Sequence, residues 1–386
     1  MPPQLPSSHS AFASLSRRRF LRRSAAAGTG LVSGILLSNC ARNLVATEPV
    51  TAQSNGNPPT GDAKILYMYT WAAYTDDQLL QDFQDKTGIK VIVDIYDSNE
   101  TMLAKLQAGG GDNYSIICPS DYMVTKMVNM GMLMPLDQSR LPGRTNLRAT
   151  WQDPSFDRGN QHSIPNNWGT TGLTYDPKQL GFELKGWRDL WENTAPLTRK
   201  VSMVNDVREV LGSALLTLGY SMNSTDPKQI KEAYDQLVAF KPAIAAFMTS
   251  GWESQIVTGD LRVAMGYSPN AITLVEENPN LAYLIPETGS SLWSDNLAIP
   301  KTAPNPDAAY EWMNFILTPD VAKAVAERLK LGIPNQKGFE MLPDALKNDK
   351  RVFPDDAILS KCQILEPLPP ETLALYDQYW TQLSSS

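Results

Sequence analysis

The chain has 386 residues, 42% of them hydrophobic and 19% charged. That composition supplies packed cores and excludes global disorder, and the length is that of two domains or one large α/β unit. A net charge of −7 speaks against nucleic-acid binding, which depends on neutralising phosphates.

The charge is uneven. Residues 1–40 hold five arginines (Arg17, Arg18, Arg19, Arg22, Arg23) and no acid, so the remainder carries 29 basic against 41 acidic side chains. An acidic body suits a cationic ligand, although acidity also serves solubility. Ser16-Arg17-Arg18-Arg19-Phe20-Leu21 resembles a twin-arginine export signal. A mildly apolar run over 24–38 follows, too short to span a bilayer in the mature protein. Leu37-Ser38-Asn39-Cys40 resembles a lipobox, which implies lipidation of Cys40; Asn39 departs from the usual Gly or Ala, and an ordinary cleavable signal is the alternative. Either reading sends the body to the periplasm, with or without a lipid anchor. Residues 41–61 are polar and contain Pro and Gly, as expected of a flexible tether.

Residues 64–69 (KILYMY) read as a strand. Thr75-Asp76-Asp77-Gln78 fits a capping box with Thr75 as cap, and Gly88 marks the end of the helix it opens. A β-branched strand over 89–96, a helix opened by Ser98-Asn99-Glu100, a short strand over 114–118 and a helix over 120–130 continue the alternation. This pattern predicts a mostly parallel sheet with helices on both faces. Strand-like stretches surround Trp168-Gly169 in 163–175. Further strands are expected at 200–204, 261–267, 281–285 and 296–300, and helices at 187–191, 207–220, 226–240, 308–317, 321–329 and 371–382. With no fixed-period repeat and no internal low-complexity linker, two α/β lobes sharing several crossings fit better than two separate beads.

Apart from Cys40, the cysteines are Cys118 and Cys362, and past residue 40 the one histidine is His162. No spacing matches a metal site, a phosphate loop or a nucleophile elbow. Aromatic residues instead gather at element ends: Trp71 and Tyr74 after the first strand, Tyr122 after Pro119-Ser120, Trp168 in a crossover, Tyr267 closing a strand, and Trp293 just before Asp295. In open α/β sheets, ligands bind beyond the carboxyl ends of strands. Asp206 and Glu209 open a helix, where they read equally as cap and capping box; Asp295 reads equally as a turn acid.

Six segments in order resemble the spermidine/putrescine-binding receptors of ABC importers. They are Tyr69-Thr70-Trp71-Ala72-Ala73-Tyr74, Tyr96-Asp97-Ser98-Asn99-Glu100-Thr101-Met102 with its continuation to Leu106, and Pro119-Ser120-Asp121-Tyr122-Met123-Val124. Asn205-Asp206-Val207-Arg208-Glu209-Val210, Leu292-Trp293-Ser294-Asp295-Asn296-Leu297-Ala298-Ile299-Pro300 and Asn314-Phe315-Ile316-Leu317-Thr318-Pro319 with its continuation to Ala322 complete them. The resemblance implies a periplasmic-binding-protein-like fold of type II, with two α/β lobes joined by crossover hinge strands and a ligand cleft between them. The expected lobes are 62–170 plus 296–340, and 171–295 plus 341–386. It also implies a non-catalytic, cofactor-free receptor that delivers polyamine to a membrane permease and its ATPase. Ligand-binding roles pass to Trp71, Tyr74, Ser120 and Tyr122 from the first lobe, to Asp206, Glu209 and Tyr267 from the second, to Trp293 and Asp295 near the second crossover, and to Gln363 on a looser match. Family members usually carry Trp where Tyr267 stands, and spermidine-preferring members often carry an acid where Ala73 stands.

The chemistry agrees independently. A polyamine is an apolar chain bearing ammonium groups: aromatic walls suit its methylenes at about 0.5–2 kcal/mol per cation contact, and each desolvated ammonium needs a carboxylate or dipole. The rival readings are a receptor for another cationic solute (a basic amino acid or a quaternary amine), a cleft enzyme with Cys118 as nucleophile, and a protein-recruiting module.

Overall fold

The computed structural model describes residues 62–385. The twin-arginine segment, Cys40 and the tether over 41–61 lie outside the described residues. Among those described, no helix is long and apolar enough to cross a membrane.

Nine strands form one continuous sheet: β1 (Ile65–Trp71), β2 (Lys90–Tyr96), β3 (Ile116–Ile117), β4 (Ser163–Tyr175), β5 (Val201–Met203), β6 (Ile244–Phe247), β7 (Val263–Tyr267), β8 (Ala282–Leu284) and β9 (Leu292–Ala298). Their order is β2-β1-β3-β9-β4-β7-β5-β6, with β8 also pairing β4. The sheet is mixed rather than mostly parallel. β1 is parallel to β2 and β3, and β5 is parallel to β6 and β7, whereas β9 is antiparallel to both β3 and β4, and β4 is antiparallel to β7. The antiparallel pairs come from the two chain passages that join the halves, which no local βα alternation announces.

β4 is the longest strand, with 13 residues. Ser163 to Thr170 pair with β9, and Thr171 to Tyr175 pair with β7. One strand thus belongs to two sheet halves, changing partner at a single peptide. Its side chains are nearly all buried, as expected of a strand covered on both faces. The apolar core follows the same logic. One cluster runs from Leu66, Phe83, Ile117 and Trp312 on to Trp252, Ile272 and Tyr283; a second, spanning Leu173 to Leu383, packs Trp187, Met203, Leu215, Phe240 and Tyr376. The first cluster crosses from one half into the other, so the halves are not independent beads.

Local signals explain the elements that flank the site. Helix Asp77–Thr87 buries Leu79 and Phe83 and ends on Gly88, whose φ of 72° is the left-handed value that glycine accepts without strain. Its cap is Asp76 rather than Thr75. The Asp76 carboxylate accepts from the Leu79 N–H at 2.7 Å and also pairs with Arg328 at 2.6 Å, a charge-assisted bond that a threonine hydroxyl cannot make. β9 begins at Leu292, four residues before the expected strand at 296, so Trp293 and Asp295 lie within a strand and Asp295 is not a turn acid. β6 and the helices Trp252–Thr258 and Ser268–Glu277 are additions to the expected elements.

Gly169 faces Trp293 in the β4–β9 register. A Cβ there would fall 2.3 Å from Cζ2 of the indole and 2.6 Å from Oγ of Ser268. The ring is rigid and Trp293 is buried, so neither neighbour gives cheaply. Gly169→Ala is expected to destabilise the protein by about 1–3 kcal/mol in urea unfolding, through overpacking against Trp293. Unchanged stability would mean that the indole has room to move.

Candidate ligand-binding site

A single cavity collects residues from both sheet halves. Trp71, Tyr74, Ser120, Tyr122, Asp206, Glu209, Tyr267, Trp293 and Asp295 all line it. These are nine of the ten expected positions. Gln363 lies outside this lining: its Oε1 accepts from the Ser221 hydroxyl and the Met222 N–H, both at 2.9 Å, and its backbone joins Ser290 and Leu292. That amide fastens a segment behind the wall, which accounts for a glutamine at this position without a ligand contact.

Strand ends place one side of the cavity. β1 terminates at Trp71, whose indole N–H donates to the Cys118 carbonyl at 3.0 Å and whose ring lies 4.5 Å from that of Tyr96. The turn that follows puts Ala73 at φ 61°, an unusual value for a residue with a Cβ, and turns Tyr74 inward. Ser120 precedes helix Asp121–Asn129, but its hydroxyl does not cap that helix. It donates instead to Asp295 Oδ1 at 2.6 Å, while the Tyr74 hydroxyl donates to Asp295 Oδ2. Asn99 braces this arrangement: its Nδ2 reaches the Ser120 and Tyr122 hydroxyls at 2.9 and 3.1 Å, and its Oδ1 accepts from the Ser120 N–H. The Tyr122 hydroxyl in turn donates to Glu100 at 3.1 Å.

The other side is built on the start of helix Val207–Thr217. Asp206 caps it, accepting from the N–H groups of Arg208 and Glu209 at 2.8 and 3.1 Å. Glu209 does not close a capping box; its carboxylate accepts from the Ser291 hydroxyl at 2.7 and 2.8 Å. Cap and site are therefore compatible in Asp206, since a carboxylate has spare lone pairs, and Glu209 lines the cavity with its carboxylate held from behind by Ser291. Tyr267 closes β7 with its ring edge-on to Trp293, 6.0 Å between centroids.

The electrostatics are lopsided. Burial pushes the Asp295 carboxyl up to about 6 despite the donated bonds from Ser120 and Tyr74. Burial and the neighbouring Asp206 push Glu209 up to about 8, and burial raises Asp206 as well. Glu100 is raised by burial and then by Asp206. Arg208, itself 3% exposed, faces the acid pair, but its guanidinium is engaged with Asn223 Oδ1 at 2.9 Å and the Glu366 carbonyl at 3.1 Å. A cavity walled by rings and by carboxylates that lack their full countercharge is built for a cation.

Several lining residues carried no sequence signal of their own. Tyr96, Asn99 and Asp121 sit inside segments whose neighbours drew attention, and Thr249, Ser250 and Asn270 follow β6 and β7. Asp121 is buried with Oδ2 unpartnered among the described residues, and so is the Trp293 Nε1 donor. Cys118 is buried, and burial holds its thiol well above the ordinary range, protonated and unsuited to nucleophilic attack. Both Cys118 and Cys362 are free. Among the described residues no group of three or more His, Cys, Asp or Glu is arranged to hold a metal ion.

The family model for bacterial extracellular solute-binding proteins matches residues 78–354. The spermidine/putrescine-binding periplasmic protein of Salmonella typhimurium is 35% identical over 84% of this chain and 92% of its own length. The putrescine-binding periplasmic protein SpuD of Pseudomonas aeruginosa is 31% identical over 86% of this chain and 94% of its own. Among solved structures, the spermidine/putrescine ABC transporter substrate-binding protein PotD from Streptococcus pneumoniae superposes with a TM-score of 0.73 at 35% identity, covering 83% of this chain and 99% of that one. Fold, cavity and likeness over most of the length converge: the chain belongs to the bacterial extracellular solute-binding proteins.

Proposed function

We propose that this protein is the exported, non-catalytic receptor of an ABC importer that binds spermidine or putrescine between its lobes and delivers it to the membrane permease and its ATPase. The observation that carries this reading is the convergence of Asp206, Glu209 and Asp295 with Trp71, Tyr74, Tyr122, Tyr267 and Trp293 on one cavity. The relatives named for these amines support the ligand class. The lobes are 62–170 plus 296–340 and 171–295 plus 341–386; the change of partner along β4 between Thr170 and Thr171 supports the first boundary. The twin-arginine segment exports the chain to the periplasm, and Cys40 is its lipid attachment point.

Binding proceeds by exchange of water for protein groups. The acids attract the cation, and the rings take up the methylenes as the lobes hinge together. Each ammonium gains a carboxylate partner, so no ligand charge is left alone in the closed cavity, and the charge of the acids it meets is offset in turn. Asp295 is the anchor, because Ser120 and Tyr74 already fix both of its oxygens.

Calorimetric titration of residues 41–386 with putrescine, spermidine and spermine is expected to give binding heat with at least one of them; silence with all three would end this reading. Asp295→Asn is expected to weaken that binding well over tenfold, because one ammonium loses its countercharge, without lowering the melting temperature of the ligand-free protein. Unchanged affinity would remove Asp295 from the site.

The raised acids also fix a pH dependence. Protons compete with the ammonium groups for Glu209 below about pH 8 and for Asp295 below about pH 6. Affinity is therefore expected to fall at least about tenfold between pH 7 and pH 5. The ligand-free protein should move the other way. A carboxyl whose folded pKa lies above its unfolded value binds more protons when folded, so stability rises as pH falls through that folded value. Thermal melts and titrations across pH 5–8 would show the two opposing trends; affinity independent of pH would exclude these acids from the contact.

A further inference from the structure

β2 ends the sheet: it pairs with β1, and among the described residues no strand lies beyond it. The Lys90 N–H donates to the Lys64 carbonyl at 2.8 Å. By alternation Lys90, Ile92 and Asp94 direct their backbone groups to β1, while Val91, Val93 and Ile95 direct theirs to the open side. Such an edge is a template for another strand unless charge, proline or a bulge blunts it. Here the register with β1 runs unbroken, the strand has no proline, and Ile92 and Ile95 are 37% and 61% exposed. No other strand or helix among the described residues carries two exposed large hydrophobic side chains. Nor would its charges repel a second copy. Residues 89–95, IKVIVDI, read the same in both directions, except that Lys90 is answered by Asp94.

We propose that β2 is the contact surface between two copies of this chain, which pair antiparallel, edge to edge, about a two-fold axis at Ile92. On that axis Ile92 meets its own copy, Lys90 meets Asp94, Val91 meets Val93 and Ile89 meets Ile95, and each unlike contact occurs twice. Val91 and Val93 form the hydrogen-bonded pairs, because their backbone groups already point outward. Ile92 and the Lys90–Asp94 pairs fall at the other positions, where facing side chains approach most closely and opposite charges add to the pairing. The register is specified as well. Moving the axis to Val91 sets Lys90 against Ile92, and moving it to Val93 sets Asp94 against Ile92. The charges are available: Lys90 has no side-chain partner among the described residues, and Asp94 holds Tyr114 and Lys105 through Oδ2 alone. One strand edge is small beside the roughly 1,200 Å² of a stable interface, so the dimer is weak and concentration-dependent.

The test is sedimentation equilibrium of residues 41–386 at low ionic strength, from about 5 µM to about 1 mM, where the wild type is expected to pass from monomer to dimer. Lys90→Asp and Asp94→Lys are each expected to weaken association tenfold or more, because each sets like charges across the axis. The two together restore the match and are expected to associate within threefold of wild type, with thermal melts confirming that each variant folds. A second readout does not depend on the charges. Ile92→Cys is expected to form a disulfide-linked dimer on mild oxidation, since facing residues at such a position lie about 4.5 Å apart between Cα atoms. Ile95→Cys is expected not to, because its two copies lie six residues apart along the pair, about 20 Å. A wild type that stays monomeric at every concentration, a dimer indifferent to charge reversal, a folded double variant that does not recover, or cross-linking at residue 95 rather than 92 would each overturn the proposal.

Discussion

The constraint that organises this molecule is the burial of carboxylates without sufficient countercharge. Asp295 is 3% exposed, and raising its carboxyl from the ordinary 3.8 to about 6 corresponds to about 3 kcal/mol of unfavourable solvation that its two hydroxyl donors do not recover. Glu209 is as deeply buried and raised further, because Asp206 lies beside it. A fold tolerates such sites only when the surrounding packing is strong enough to hold them, and here two extensive apolar clusters do so. The cost disappears when a cation enters. The same free energy that weakens the empty protein therefore reappears as affinity, and the site discriminates by charge before it discriminates by shape.

The sheet makes this possible by putting acids on elements that would otherwise be far apart. β9 carries Asp295 and Trp293 between β3 and β4, so one strand presents a charge and a ring to a cavity whose remaining walls come from the ends of β1 and β7 and from the starts of helices Asp121–Asn129 and Val207–Thr217. The helix starts matter physically as well as geometrically. Their free N–H groups hold Asp206 in place and keep part of its charge occupied. Bracing from behind is equally specific: Asn99 ties Ser120 to Tyr122, and Gln363, Asn223 and Arg208 fasten the C-terminal segment that brings Leu365 to the wall.

Much of this was legible in the sequence, for reasons that can be stated. Strand-then-helix alternation from residue 64 onward is a local pattern, and it located β1, β2 and the helices that follow them within one or two residues. Asp206 was readable as both cap and ligand group, because one carboxylate can be both. What escaped was non-local. The length of β9 depends on pairing with β4, which lies more than a hundred residues earlier, so the strand expected from 296 on its apolar run covered only the second half. β6 reads IAAF, a run whose alanines favour helix as readily as strand; its pairing with β5 decides the matter. Asn99 and Gln363 are polar residues whose partners are set by tertiary structure. Position alone gave no way to tell that one braces the cavity and the other fastens a segment behind it.

The distribution of the site over both halves has a mechanical consequence. Ser120, Tyr74 and Tyr122 come from one half and Asp206, Glu209 and Tyr267 from the other, while Asp295 sits on a strand anchored to β3 and β4. A ligand with a single ammonium could neutralise Asp295 or the Asp206–Glu209 pair and leave the other uncompensated, which would oppose closure. A ligand charged at both ends satisfies the two groups together, and only then does drawing the halves together remove more unfavourable burial than it creates. Under the proposed reading, closure is thus conditional on ligand charge and length. Because β4 changes partner at one peptide between the halves, the fold provides a continuous sheet through which that relief can act without any separate linker.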